Sequence, residues 1–332
     1  MNKIRWGVLS TAKIAREKVI PAMQAGNYCS VDAIASRNPE HAKETATLLG
    51  IPKAYDSYEA LLSDADIDAV YIPLPNHMHV EWAIKALEAN KHVLCEKPIG
   101  LSSAEALQLQ QAAQQRPHLK IMEAFMYRFH PQWKKTKKMI QDGSIGELKT
   151  IQSFFSYYNV DVNNIRNQKE AGGGGMMDIG CYCVSLSRFL FGEEPLTVFA
   201  DVEFDSVLQT DRMASGILHF NKGTATFSCS TQLMPYQRVN ILGTEGRIDI
   251  EIPFNAPVLA ATSIWLSTKS GLEEIIFDAV DQYTLQCDLF SKAILEGTTV
   301  PTDLNDAVNN MIAIEAVFKS SAEKKLISIL SD

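Results

Sequence analysis

The sequence predicts an α/β protein in two parts: a doubly wound parallel sheet over residues 1–122, then, over residues 123–332, an α+β domain with a large open, mainly antiparallel sheet. Length, rhythm and a change of rhythm point to it. At 332 residues the chain exceeds what one hydrophobic core usually serves, so two domains are the natural division. Up to about residue 125, short apolar runs alternate with helical patterns, as repeated βαβ units require. Beyond it come long stretches that favour extended structure, broken by turn residues.

In the first part, residues 4–9, 31–36, 69–72 and 92–94 are short apolar runs of the kind that form strands buried on both faces, with a further strand near 120–122. The intervening segments 12–25, 39–49, 57–62, 77–89 and 102–114 carry helical spacing. The second part opens with a helix at 131–141. Strands are then expected at 146–158, 196–203, 213–220, 223–230, 237–242 and 246–251. Asn221-Lys222-Gly223 and Gly243-Thr244-Glu245-Gly246 supply the turn chemistry between neighbouring strands. A helix near 178–190 interrupts the strands, and helices at 282–295 and 304–325 close the chain, placed so that they can pack back on the first domain. No internal repeat and no low-complexity segment occurs.

Composition excludes several function classes. A formal net charge of −8 leaves no basic face on which a phosphate backbone would release counterions, so nucleic acid is not an expected partner. The densest basic stretch, Lys134-Lys135-Thr136-Lys137-Lys138, reads as a solvated helix face. Six cysteines show no CxxC spacing and no histidine cluster to complete a metal site, so they read as reduced, buried thiols. In a helix, the single residue between Cys181 and Cys183 sends the two thiols in different directions. The N-terminus runs straight into a strand pattern, with no signal-peptide character, and no apolar run reaches the roughly eighteen residues of a membrane span. The expectation is a cytoplasmic protein with no membrane partner.

The residues that carry chemistry cluster at strand ends. After the first strand, Gly7-Val8-Leu9-Ser10-Thr11-Ala12-Lys13-Ile14-Ala15 occupies the place where a dinucleotide loop delivers pyrophosphate to a helix N-terminus. The usual G-x-G-x-x-G/A stands here as Ser10-x-Ala12-x-x-Ala15, so a cofactor loop and a plain tight turn both remain open. Small side chains still permit close backbone approach, and the hydroxyls of Ser10 and Thr11 can donate to phosphate oxygens. The second strand ends in Ala35-Ser36-Arg37-Asn38. An acidic residue here would bind the ribose of NAD, whereas a hydroxyl and a guanidinium suit the 2′-phosphate of NADP. Two more loops follow strands, Pro73-Leu74-Pro75-Asn76-His77 with His79 just beyond, and Cys95-Glu96-Lys97-Pro98. Both lie at carboxyl ends, where open α/β sheets bind ligands. Lys97 suits a proton-relay or orienting cation, although a lysine before proline is ordinarily a surface residue.

The second part supplies Glu123-Ala124-Phe125-Met126-Tyr127-Arg128 and the run Gly172-Gly173-Gly174-Gly175-Met176-Met177-Asp178-Ile179-Gly180-Cys181-Tyr182. Four glycines entering a helix let another segment or a ligand come close, and Asp178 and Tyr182 are an i, i+4 pair sharing one wall. Taken alone, Asp178 is equally an acid favoured by a helix N-terminus, and Tyr182 a packed aromatic. Phe125, Tyr127, Arg128, Phe154, Tyr157 and Arg166 are candidates for a pocket wall and equally for packing or surface.

In their order and spacing, Tyr71-Ile72-Pro73-Leu74-Pro75-Asn76-His77, Glu96-Lys97-Pro98, Glu123 to Arg128 and Gly173 to Tyr182 resemble the glucose-fructose oxidoreductase/inositol dehydrogenase/MocA family. The likeness covers nearly the whole chain and is nearest the branch of trans-dihydrodiol dehydrogenase and NADP-dependent D-xylose dehydrogenase. It implies an N-terminal Rossmann domain with Ser10, Thr11, Ala12, Lys13, Ile14, Ser36, Arg37, Pro73, Leu74, Asn76, His77, His79, Glu96 and Lys97 around NADP, with NAD as the alternative. It further implies hydride transfer between nicotinamide and a hydroxyl or carbonyl of a sugar, polyol or dihydrodiol. In that reading Tyr182 is the acid/base, where many members carry histidine. Lys97 orients substrate and cofactor and lowers the phenol from its free pKa of about 10. Asp178 completes the polar wall, and Tyr127, Arg128 and Arg166 bind substrate. The resemblance also implies a cis Lys97–Pro98 bond and a homo-oligomer, dimer or tetramer, formed through the C-terminal sheet. Two other readings stay open, a non-catalytic dinucleotide-binding regulator and a redox-neutral, NAD-dependent glycoside hydrolase. Retention of both Lys97 and Tyr182 speaks against the regulator.

Overall fold

A computed structural model of the chain describes residues 2–329, which fall into two compact units. The first runs to Met126 and takes back Asp281–Val308; the second holds Tyr127–Val280 and the chain from Asn309.

Six parallel strands form the first sheet: β1 (Ile4–Leu9), β2 (Cys29–Ala35), β3 (Lys53–Tyr55), β4 (Ala69–Ile72), β5 (His92–Cys95) and β6 (Ile121–Glu123). Their order, β3-β2-β1-β4-β5-β6, reverses direction at β1, which creates the switch point where α/β sheets hold ligands. The helices between them are α1 (Ile20–Ala25), α2 (Pro39–Leu49), α3 (Tyr58–Leu62), α4 (His79–Glu88) and α5 (Ser103–Gln114). Local chemistry sets their starts: the Asn38 side chain accepts from Glu40 and His41 N–H, Ser57 from Ala60, and Ser102 from Glu105. The helix Gln282–Glu296 belongs to this unit through Phe290, which packs on Trp6 of β1, and Ser291, which accepts from the Trp6 indole at 3.1 Å.

The second unit begins with α6 (Pro131–Gln141) and is built on nine strands. They are β7 (Leu148–Tyr158), β8 (Thr197–Phe204), β9 (Asp211–His219), β10 (Thr224–Ser230), β11 (Gln232–Gly243), β12 (Gly246–Ile250), β13 (Thr262–Thr268), β14 (Gly271–Phe277) and β15 (Ile327–Ser328). The order is β14-β13-β12-β11-β7-β10-β9-β8-β15, antiparallel at each pairing except β7 with β10. A parallel pair needs a crossover, and α7 (Cys181–Phe191), lying between β7 and β8 in sequence, packs on both β7 and β10. The sequence pattern did not anticipate β3, β13, β14 or β15. Two of these strands are only two or three residues long, and the β13–β14 hairpin at one edge of the sheet exposes most of β14, so it has no clean apolar alternation.

Two expected helices, 12–25 and 178–190, carry a turn of π-helix near their starts, at Ala15–Val19 and Met176–Gly180. Wide turns of this kind recur at functional sites, and both sit beside the residues singled out for chemistry.

Candidate active site

In the first unit the loop after β1 makes the turn that a glycine usually makes. Ser10 adopts φ 130°, a region L-residues rarely enter, while its N–H donates to Ala35 O at 3.0 Å and its Oγ accepts from Ala12 N–H at 3.0 Å. Thr11, Ala12 and Ile14 are half-buried on this turn; Lys13 is exposed and lies 3.9 Å from Glu17. Arg16 braces the loop through Nε to Thr11 O at 2.9 Å. The loop therefore has the tight path of a dinucleotide cradle, obtained with a strained serine.

At the end of β2, Ser36 is buried and its Oγ accepts from Asn38 N–H at 3.1 Å, which turns Arg37 outward. Tyr58, buried at the start of α3, has its hydroxyl beside both Ser10 and Arg37, and its ring edge rests on Trp82 with centroids 4.9 Å apart. The phenol joins the cradle to the arginine. The strand end carries no carboxylate, so the donor set fits a phosphorylated ribose.

The loops after β4 and β5 are tied together. Tyr71 donates to Glu96 Oε1 at 2.6 Å, and Lys97 N–H faces Glu96 Oε2 at 3.4 Å. His79 is fully buried, with Nδ1 2.7 Å from Pro98 O and Nε2 2.8 Å from Leu74 O. Burial pushes its pKa down to about 4, against the two carbonyls, which pull it up. With no exposed surface and both ring nitrogens engaged by backbone, His79 acts as a staple between the two loops expected at the cofactor. Pro73 and Leu74 are buried, Asn76 is half-buried and His77 is exposed on the same loop. The Lys97–Pro98 bond is cis.

In the second unit the glycine run is explained by Asp211, the first residue of β9. Its carboxylate accepts from Met176 N–H at 2.6 Å, and burial raises its pKa to about 6. A Cβ on Gly174, whose φ is +127°, would lie 2.0 Å from Asp211 Oδ1, and one on Gly180 would meet Met176 Sδ at 2.5 Å. Glycine at these positions lets the helix start close against β9 and β10.

On the turns so placed, Asp178 is 13% exposed and accepts from Tyr157 Oη at 2.5 Å and from Arg166 Nε at 3.1 Å. Arg166 also lies close enough to Tyr182 to sense a charge on that phenol. The Tyr182 ring is buried among Tyr127, Phe155 and Phe254, at centroid distances of 5.8, 5.9 and 5.4 Å. The structure thus brings Asp178, Tyr182 and Arg166 together and adds Tyr157, which the sequence offered only as one of several residues for a pocket wall, packing or surface. The signal was present: period-two alternation along β7 puts Tyr157 on the same face as Phe155.

Tyr127 and Arg128 are placed otherwise. Tyr127 is 0% exposed, its hydroxyl 2.8 Å from Ser185 Oγ, and Arg128 is buried with Nη2 2.8 Å from the same oxygen. Tyr127 packs on the Tyr182 ring, and both residues are held from behind by Ser185. All six cysteines are buried and unpaired by disulfides. Among the described residues no group of three or more His, Cys, Asp or Glu side chains could hold a metal, and no helix is long and apolar enough to cross a membrane.

Comparison with known proteins agrees with this architecture. Residues 4–124 match the oxidoreductase family with an NAD-binding Rossmann fold, and residues 133–249 the GFO/IDH/MocA C-terminal domain. An uncharacterized oxidoreductase of Rhizobium meliloti is 41% identical over 97% of this chain and 98% of its own. The D-xylose 1-dehydrogenase (NADP(+)) 2 of Haloferax volcanii is 36% identical over 95% of this chain and 97% of its own. Among solved structures, a 3-ketoreductase from Actinomadura kijaniata, crystallised with NADP and TDP-benzene, superimposes with a TM-score of 0.90 at 30% identity, covering 96% of this chain and 98% of that one.

Proposed function

The chain belongs to the GFO/IDH/MocA family of nicotinamide-dependent oxidoreductases, and from that premise we propose that it transfers hydride between NADP and a hydroxyl or carbonyl of a sugar, polyol or dihydrodiol. Tyr182 is the acid/base, Lys97 the orienting cation, and Asp178 and Arg166 the polar groups that meet the substrate. One observation carries this reading: Asp178, Arg166 and Tyr182 converge around one helix start whose glycines leave room for it. Relatives named as an NADP-linked D-xylose dehydrogenase and as a trans-1,2-dihydrobenzene-1,2-diol dehydrogenase support the substrate class.

Each residue has a physical task. The Ser10-Thr11-Ala12 turn, with its hydroxyls and the helix start that follows, would hold the pyrophosphate. Ser36 and Arg37 take the 2′-phosphate, the guanidinium being planar, always charged and suited to two-point binding. The bound nicotinamide supplies a two-electron acceptor for alcohol oxidation and a donor for carbonyl reduction. Tyr182 holds or receives the proton of the reacting oxygen. Its ring is fixed by the aromatic cluster and buried, with Arg166 close by. Asp178, braced by Tyr157 and Arg166, offers a fixed acceptor to a neighbouring hydroxyl.

The test is the initial rate of nicotinamide reduction with NADP, and separately with NAD, across aldoses, inositols and trans-dihydrodiols. Turnover favouring NADP with one substrate group is expected, and Tyr182→Phe should lower kcat by about 10²-fold or more while cofactor binding is kept. Tight NADP binding without turnover on the whole panel would replace the enzyme reading with that of a dinucleotide-binding regulator.

A further inference from the structure

Along β7, Ser153, Phe155 and Tyr157 follow the period of two that points side chains to one face of a sheet. On that face Phe155 meets the Tyr182 ring and the Tyr157 hydroxyl reaches Asp178 Oδ2 at 2.5 Å, the short end of a phenol–carboxylate hydrogen bond. Arg166 takes the other carboxylate oxygen through Nε and is itself positioned: its carbonyl accepts from Gly174 N–H at 2.8 Å, and its N–H donates to Asn164 Oδ1 at 3.1 Å. Tyr157 on one oxygen and Arg166 on the other hold the plane of the Asp178 carboxylate. The Arg166 side chain is 45% exposed, and its Nη groups make no hydrogen bond or ion pair among the described residues.

The charges of this set cancel. Arg166 balances Asp178, and Tyr157 stays a neutral phenol because burial and the adjacent Asp178 carboxylate hold its pKa far above the usual tyrosine range. The next carboxylate, Asp211, is 3% exposed and adds negative rather than positive character. Elsewhere in the same unit Arg188, Arg212, Arg238 and Arg247 each face a carboxylate, and Arg128 is buried beside Phe189. Two-point recognition of a phosphate or carboxylate draws on an exposed guanidinium with no facing carboxylate, and among the described residues of this unit there is none.

We propose that Tyr157 is a positioning residue for Asp178, and that the Tyr157–Asp178–Arg166 set selects a hydroxyl of an uncharged sugar or polyol over a phosphorylated or acidic one. The inference deepens the function proposed above and rests on it for the statement that Asp178 faces substrate.

Two measurements on the full chain decide it. Proton NMR of the ligand-free protein should show a downfield hydroxyl resonance that is lost in Tyr157→Phe and in Asp178→Asn and kept in Arg166→Gln. Steady-state kinetics should show Tyr157→Phe raising KM about tenfold, with kcat within about twofold and NADP affinity unchanged, as expected for losing one hydrogen bond to a charged group. Arg166→Gln should raise KM in the same direction, whereas Arg166→Lys, which keeps the charge, should restore part of the loss. Sugars carrying a phosphate or carboxylate should react at less than about a tenth of the rate of their neutral counterparts. An unchanged KM in Tyr157→Phe, a loss confined to kcat, a missing resonance, or a preference for the anionic sugars would overturn the proposal. If the wild type turned over none of the panel, the oxidoreductase reading itself would fail, and the resonance would still decide whether Tyr157 holds Asp178.

Discussion

Ser10 and Arg37 show how single residues depart from a motif yet keep its physics. Ser10 stands where the dinucleotide fingerprint has glycine and takes a positive φ at a cost of roughly 1–3 kcal/mol. Arg37 replaces the ribose-binding acid. For Arg37→Ala we predict a fall of about 10- to 100-fold in the ratio of NADP to NAD affinity, from the loss of a charge-assisted contact of about 1.5–3 kcal/mol. Fluorescence titration with the two cofactors measures it, and an unchanged ratio would remove Arg37 from the 2′-phosphate site. Strand-end placement alone made this residue legible in the sequence. Tyr127 and His79 were legible as polar groups in the right segments, but not as buried ones, because burial depends on Ser185, Pro98 and Leu74, which lie elsewhere in the chain.

At the scale of elements, the helix start at Gly174 to Tyr182 is a device for close packing. Gly174→Ala adds a backbone penalty at φ +127° and a collision with Asp211 Oδ1, so we predict a loss of about 2–4 kcal/mol in denaturant unfolding. Gly50→Ala, at φ +65° with nothing within 4 Å of the added Cβ, should cost only about 1–2 kcal/mol. The elements carrying His92 and His130 govern a second property. Burial pushes both histidines down to about 4, and both accept at Nδ1, from Lys120 and Gln132 N–H, which suits the neutral ring. A histidine whose folded pKa is depressed binds its proton first in the unfolded chain. Its stabilisation is therefore complete above about pH 6.5 and is lost as pH falls towards 4, at about 1.4 kcal/mol per pH unit for each. Asp211, raised to about 6, acts in the opposite sense over part of that window, but as one group against these two and His79, which burial lowers in the same way. Urea unfolding at pH 7, 6 and 5 should show stability falling at each step, and a flat profile would show that these rings are charged in the folded state.

For the whole molecule, a cofactor that binds the folded chain alone must stabilise it. NADP at a hundred times its Kd should add about 2.7 kcal/mol, read as a rise of a few degrees in Tm, and Arg37→Ala should shrink that rise for NADP more than for NAD. The sequence by itself determined the βαβ alternation, the change to extended structure and the strand-end loops, because period, turn chemistry and motif order are local properties. It determined Lys97, Asp178 and Tyr182 as candidates through their order along the chain. Only the tertiary structure decided that the Gln282–Glu296 helix belongs with the first unit, that β7 and β10 run parallel beneath α7, and that Tyr157 clamps Asp178. The physical reason is common to all three. Each depends on contacts between residues far apart in the chain, whose partners are chosen by packing and hydrogen-bond geometry rather than by any pattern within one segment.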